Sequence, residues 1–389
     1  MKKTIAVGDL HLTRDTPPHV AGDLVRLVRE NPGDRLMLAG DLFDLSADFP
    51  RTPPLSALKS ALDAQAPLFA ALGEHVDRGG ELFLVAGNHD AAIGEPDAQH
   101  EVLAALGVHG EARARVRTSP WFLEADSVHL EHGHFYDADN APAHPLFSCV
   151  RSLGVHFVEE FIAPTGAFRY LNANDEMPLK LLISAFRWYG PRGPYVVYRY
   201  FRAAFHALAR SGPFVDPTID LERGRAREKW FAEEHALSEA LLSELARLGA
   251  TPTMSSLNAT FRRLYLDRVA ATLMLASGIG LAARGKTSKG ALVLGAGAAL
   301  MATSWALGYD RYGGTVQESL AKAAETVGDA TGARLVVFGH AHRVALTPRY
   351  ANTASFAFPG RAPGRPYLQI ETTPSGPVAT HRYLGADSR

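Results

Sequence analysis

Short apolar runs that end abruptly in a polar cluster recur along the chain. Thr4–Val7 runs into Gly8-Asp9-Leu10-His11, Arg35–Ala39 into Gly40-Asp41-Leu42-Phe43-Asp44, and Leu82–Ala86 into Gly87-Asn88-His89-Asp90. Two more follow: Val128–Glu131 before His132-Gly133-His134, and Leu335–Phe338 before Gly339-His340-Ala341-His342. Runs of this kind predict buried strands, and the spacing between the first three predicts helices at about 18–30 and 55–77. Strand and helix therefore alternate in this part of the chain. In such folds ligands gather where strands end and loops begin. Five strand ends that terminate in Asp, Asn or His are expected to converge on one site.

From 141 to 315 the pattern changes to helices, broken at Gly190-Pro191-Arg192-Gly193-Pro194 and Ser211-Gly212-Pro213. Tyr195–Arg210 mixes aromatics with arginines, the make-up of an interfacial helix or of an amphipathic one facing a core. Arg225–Leu248 reads as one long charged helix. Two uncharged runs follow, 269–283 of 15 residues and 290–309 of 20 residues. At a helical rise of about 1.5 Å per residue they reach about 22 and 30 Å. The second is long enough for a bilayer core of about 30 Å. Residues 269–309 are therefore read as an apolar hairpin, either membrane-inserted or buried in a helical cap. Gly278, Gly280, Gly295 and Gly297 would permit close packing within it. Arg262, Arg263, Arg268 and Arg311 flank it, and Arg284, Lys286 and Lys289 sit in its loop, so charge gives no orientation.

Composition narrows the partners. Forty Lys+Arg against forty-one Asp+Glu leave a net charge of −1 over 389 residues. No nucleic-acid partner is expected from so flat a balance. The lone cysteine, Cys149, excludes an internal disulfide or a multi-cysteine metal site. The N-terminus offers only a short apolar stretch before Asp9, too short for a signal peptide, so a cytoplasmic location is expected.

The residue types at the strand ends indicate the chemistry. Asp9, His11, Asp41, Asn88, His132, His340 and His342 offer three carboxylate or amide and four imidazole ligands. Seven are too many for one ion but suit two that share a bridging carboxylate. Mixed oxygen and nitrogen donors without thiolate fit Mn, Fe or Zn better than Ca or Mg. The glycines before several of these residues would let the backbone turn and approach the ions. Two ions about 3.5–4 Å apart acidify a bridging water and clamp the oxygens of an in-line displacement at phosphorus.

Asp-x-His, Gly-Asp-x-x-Asp, Gly-Asn-His-Asp, His-Gly-His and Gly-His-x-His, in this order, resemble the calcineurin-like metallophosphoesterases. The resemblance implies an α/β fold, a four-layer αββα sandwich with a dinuclear metal centre, Mn being the first choice. Its core would cover 1–140 and 316–389, with 141–315 as a large helical insertion between the fourth and fifth motifs. By the same resemblance, Asp9, His11, Asp41 and His342 would hold the first ion. Asp41 would bridge to a second ion held by Asn88, His132 and His340. His89 would contact phosphate and protonate the leaving oxygen, with Asp44 orienting its ring. Attack on phosphorus would come from a hydroxide bridging the ions. Asp90, His134, Asp137 and Arg343 are further candidates for substrate or supporting contacts.

Within the family, Leu45-Ser46 after Asp44, and Asp90 closing the third motif, depart from the protein Ser/Thr phosphatases. Gly-Asp-Leu-Phe-Asp and Gly-His-Ala-His-Arg look similar to the UDP-2,3-diacylglucosamine hydrolases, which usually have Arg where His89 stands and a much shorter insertion. The expected substrate is a phosphomonoester, phosphodiester or pyrophosphate, lipid-linked or membrane-proximal, with a soluble nucleotide or small molecule as the alternative. A non-catalytic scaffold of this fold would be expected to have lost ligands, and all seven are present. Gly280 to Thr287 spells the Walker A pattern, but the preceding residues read as a helix and not as the strand that a phosphate loop requires.

Overall fold

The computed structural model describes residues 3–147, 151–168, 178–307 and 315–385; Cys149, Tyr309 and Arg311 lie outside them. Eleven strands form two sheets among the described residues. The first sheet has the order β11-β10-β1-β2-β3-β4, with β1 Thr4–Val7, β2 Arg35–Ala39, β3 Glu81–Val85, β4 Val116–Ser119, β10 Arg365–Thr373 and β11 Gly376–Leu384. The second has the order β5-β6-β7-β9-β8, with β5 Phe122–Ala125, β6 Val128–Glu131, β7 Leu335–Phe338, β8 Val344–Leu346 and β9 Tyr350–Thr353. β1 to β4 run parallel, and β10 joins β1 antiparallel, with Thr4 opposite Ile370. β6, β7 and β9 are parallel to one another.

The apolar runs lack alternation because both faces of these strands are buried. Leu36 and Leu38 of β2 pack into a core with helices Pro18–Glu30, Pro54–Ala64, Ala66–Asp77 and Pro96–Leu106. Met37 and Ala39, pointing the other way, join Leu130, Leu335 and Val337 in the core between the sheets. Val336 and Phe338 of β7 face a third core with Phe231, Leu242, Leu245, Leu320 and Val327. The layers are thus helix, sheet, sheet, helix, the sandwich expected. Its last layer is supplied by helices Thr218–His235, Glu239–Ala246 and Thr315–Thr331.

Two expected helices are interrupted. The 55–77 stretch breaks at Gln65 because Pro67, in the first turn of the second helix, has no N–H to donate backward. The single helix expected over Arg225–Leu248 is two helices. Ala236 takes a left-handed φ of 53°, and Ser238 caps the next helix by accepting from Leu241 N at 3.1 Å.

The chain divides into two compact units. One comprises Met1–Phe168, Pro217–Pro252 and Val316–Arg389; the other comprises Arg169–Asp216 and Thr253–Thr315. Segments 141–168 and 217–252 therefore fall in the first unit, with the sheets. In the second unit, helices Leu266–Ala283 and Thr287–Leu307 pack against each other as a hairpin. A Cβ at Gly278 would lie 2.6 Å from Leu294 Cγ and 2.9 Å from its backbone nitrogen, so only glycine permits this approach. Both helices are long and apolar enough to cross a membrane by length and composition, and only 22% and 17% of their apolar windows are buried. Leu273, Ile279, Leu292 and Leu307 are more than half exposed. The Walker-like stretch connects these two helices, so no strand precedes it.

Candidate metal centre

The backbone at the strand ends is distinctive before any side chain is considered. Asp9, His11, Asp41, His340 and His342 have φ of 56°, 48°, 49°, 67° and 53°. For a residue with a Cβ, the left-handed region costs about 1–2 kcal/mol. Such strain persists where the surrounding structure enforces it, and clusters at functional sites. Here the loops after β1 and β2 enforce it on each other: Leu10 N and His11 N both donate to Asp41 O, at 3.0 and 2.9 Å. Gly87, after β3, leaves room for this, since a Cβ there would stand 2.1 Å from Asp41 Oδ1.

The side chains converge in two groups. His342 Nε2 lies 3.0 Å from Asp9 Oδ1 and 3.1 Å from His11 Nε2. His132 Nδ1 donates to Ala39 O at 2.8 Å, which turns Nε2 toward Asp41 Oδ2 and Asn88 Oδ1, each at 3.2 Å. Separations near 3 Å between donor atoms are those of ligands sharing one ion at bonds of about 2.0–2.2 Å. Asp9, His11 and His342 form one metal-capable set, His11, Asp41 and His89 another, and Asp9, Asp41 and His132 a third. Asp9, His11 and Asp41 each belong to two of the sets, so the three groups form one continuous cluster. His340 is in none of the three. Its backbone N–H donates to Asp9, and its Nε2 is 2.9 Å from Asp137 Oδ2, leaving Nδ1 as the nitrogen able to ligate.

Around these ligands runs a supporting network. Asn140 Nδ2 donates to Asp137 Oδ2 at 2.7 Å, and Asn140 Oδ1 accepts from Asn88 Nδ2 at 3.2 Å. His340, Asp137, Asn140 and Asn88 therefore form one chain. His89 Nδ1 lies 3.0 Å from Asp44 Oδ1 and 3.1 Å from Ser46 Oγ, while Ser46 donates to Asp44 at 2.6 Å. His89 Nε2 is left facing Asp41 Oδ2 at 4.0 Å. Sequence reasoning missed Asn140 and Ser46; the only signal was their placement three residues after Asp137 and two after Asp44.

The four further candidates separate. Asp90 accepts from Gly87 N at 2.7 Å and Phe43 N at 3.1 Å, so its carboxylate is engaged in bracing the loops after β2 and β3. Asp137 supports His340. His134 stands 5.3 Å, ring to ring, from His132, with a buried Nδ1 that has no hydrogen-bond partner. Arg343 is exposed.

Electrostatics test whether cations fit. Asp9, Asp41 and Asp44 are almost fully buried, and among the described residues their ion-pair partners are all histidines. Burial alone would raise the pKa of Asp41, but His132, His89 and His11 hold it well below the usual carboxylate range. Burial alone would lower His89 and His132, yet Asp44 and Asp41 push them up to about 10 and about 9. Burial, with Asp41 nearby, raises Asp90 to about 7. Carboxylates that draw protons onto their neighbours in this way form an anionic pocket, and the donor set and its spacing suit divalent ions of the Mn, Fe or Zn class.

Beside the cluster opens a cavity of about 380 Å³, bordered by Asn88, His89 and His134. Leu45, Leu146, Phe147 and Val155 line its apolar part, and Arg51, Arg151 and Glu159 its charged part.

A family model described as calcineurin-like phosphoesterase matches residues 2–191. That span holds every strand-end motif except the one with His340 and His342. No curated protein matches the chain.

Proposed function

We infer that the chain, whose residues 2–191 match the calcineurin-like phosphoesterase model, hydrolyses a phosphoester at a pair of divalent ions, Mn as first choice. Asp9, His11, Asp41 and His342 would hold one ion, and Asp41, Asn88, His132 and His340 the other. When bound, such ions acidify water for attack and neutralise charge developing on the phosphoryl oxygens. The residues of the chain do the rest. His132 is locked by Ala39 O so that Nε2 faces the ions. His89, fixed through Nδ1 by Asp44 and Ser46, presents Nε2 to donate a proton to the leaving oxygen. The cavity next to His89 receives the organic part of the ester, and its apolar lining keeps bulk water from that side.

The observation that carries this reading is the approach of His342 Nε2, His11 Nε2 and Asp9 Oδ1 to about 3 Å of one another. Two imidazole nitrogens and a carboxylate oxygen so placed suit one shared cation. The exposed apolar hairpin of 266–307 supports a substrate presented at a membrane, such as a lipid-linked phosphoester or pyrophosphate. Turnover restricted to soluble nucleotides or sugar phosphates would replace that part of the reading.

Asp41→Ala and His132→Ala test the centre. Hydrolysis of an aryl phosphoester with Mn should drop to background in both, together with loss of bound Mn by elemental analysis. Wild-type-like turnover in either variant would sink the assignment.

A further inference from the structure

Two arginines on the cavity wall have no task in the hydrolytic reading. Arg51 and Arg151 line the same cavity as Asn88 and His89, and they share one carboxylate. Arg51 Nη2 lies 3.3 Å from Glu159 Oε1, and Arg151 Nε lies 2.9 Å from Glu159 Oε2. Each guanidinium brings one nitrogen to Glu159, and neither has another polar partner among the described residues. A guanidinium carries five N–H donors, so most of this donor capacity is not taken up by Glu159.

Charge at the wall is also unbalanced. Glu95, the other acid of the lining, is held bidentately by Arg227, at 2.7 and 3.1 Å. Arg227 also donates to Leu146 O at 2.9 Å, which fixes that part of the wall. Among the described residues that line the cavity, Arg51 and Arg151 share the single carboxylate of Glu159. The neighbouring surface is apolar, with Pro54, Phe147 and Val155. A volume of about 380 Å³ falls in the range of small-molecule sites, about 300–1,000 Å³.

We propose that this cavity binds the organic part of the phosphoester and that Arg51 and Arg151 hold a second anionic group there, a phosphate or carboxylate, in place of Glu159. The placement beside the scissile phosphate rests on the phosphoesterase reading. The subsite itself rests on the cavity and the two arginines. Guanidinium and phosphate match in a bidentate fork, and charge-assisted bonds of this kind are stronger than neutral ones. Glu159 acts as an internal competitor. A ligand with only the scissile phosphate leaves the two ion pairs intact, whereas one with a second anion exchanges them for its own. Selectivity then comes from what the wrong ligand fails to displace as much as from what the right one gains.

The test compares glucose 1-phosphate with glucose 1,6-bisphosphate, which differ by one phosphate. Dissociation constants are measured by calorimetry on the Mn-loaded full chain, and turnover of p-nitrophenyl phosphate is followed in parallel. Wild type should bind the bisphosphate at least about tenfold more tightly, the advantage of a charge-assisted pair. That ratio should fall toward unity in Arg151→Gln and in Arg51→Gln, and rise about threefold or more in Glu159→Gln, where the competitor loses its charge. Using two arginine variants, with melting curves for each, separates loss of the subsite from loss of the fold. An equal affinity for both ligands in wild type would overturn the proposal. So would a ratio unmoved by both arginine variants, or a lower ratio in Glu159→Gln. Failure of turnover with the ratios behaving as stated would remove the phosphoesterase reading and leave the anion subsite standing.

Discussion

Asn140 holds two candidate ligands at once. By accepting from Asn88 Nδ2 it directs Asn88 Oδ1 toward His132 Nε2, and by donating to Asp137 it steadies the carboxylate that grips His340. Groups that orient metal ligands in this way change affinity by about 10–100-fold when removed. Asn140→Ala should lower Mn affinity by that factor in a metal titration, with the fold intact by circular dichroism; unchanged affinity would assign Asn140 to packing alone. His129 gives a second residue-scale expectation. It is fully buried between Glu124 and Glu131, at 3.1 and 3.3 Å. Burial alone would lower its pKa, but the two carboxylates outweigh it and the net shift is upward. Its stabilising contribution is then complete below the unfolded value of about 6.5 and fades as pH rises through the higher folded value. Urea denaturation should show the gap between wild type and His129→Leu narrowing as pH rises above about 6.5. The candidate ligands that lie together were legible because they cluster just after apolar runs. Asn140 was not, because its bond to Asn88 spans 52 residues.

At the scale of elements, the strands were legible from composition, and the interruptions were not. β1, β2, β6 and β7 fall where the apolar runs place them, since both faces of each are covered. The break at Ala236 escaped because alanine favours helix and the charged pattern continues through it; only Ser238 signalled a new start. Its left-handed φ makes it a site for repair. Ala236→Gly removes the steric cost of a Cβ at φ 53° while loosening the unfolded chain. A net gain of up to about 1 kcal/mol is expected in urea denaturation. Loss of stability would show that the Ala236 methyl contributes packing worth more than the strain.

For the molecule as a whole, the apolar pattern separated a candidate metal site from a helical region, part of which packs with the sheets. Helices Thr218–His235 and Glu239–Ala246 cover the outer face of the second sheet, where Phe231 and Leu242 are fully buried. Burial of each such side chain contributes about 1.5–3 kcal/mol, so these helices are part of the sandwich. Their sequence is too charged to announce it: one helix face suffices for packing and the rest stays solvated. The hairpin is the opposite case, since its apolar residues are exposed. Cells expressing the chain should yield it in a membrane pellet that resists alkaline carbonate and dissolves in detergent. Full recovery in the soluble fraction would refute an inserted hairpin.

β1 is bonded on one side to β2 and on the other to β10, more than 300 residues later in the chain. The centre repeats that span, from Asp9 to His342. During synthesis the first ligands leave the ribosome long before the last, with the whole helical insertion made in between. No nascent or truncated product ending before residue 342 can assemble the set, so on the proposed reading hydrolytic competence would arrive late and all at once. Pairings this distant also form slowly. Ions that join both ends of the chain would then act as a clasp, favouring the closed sandwich over every partly made form.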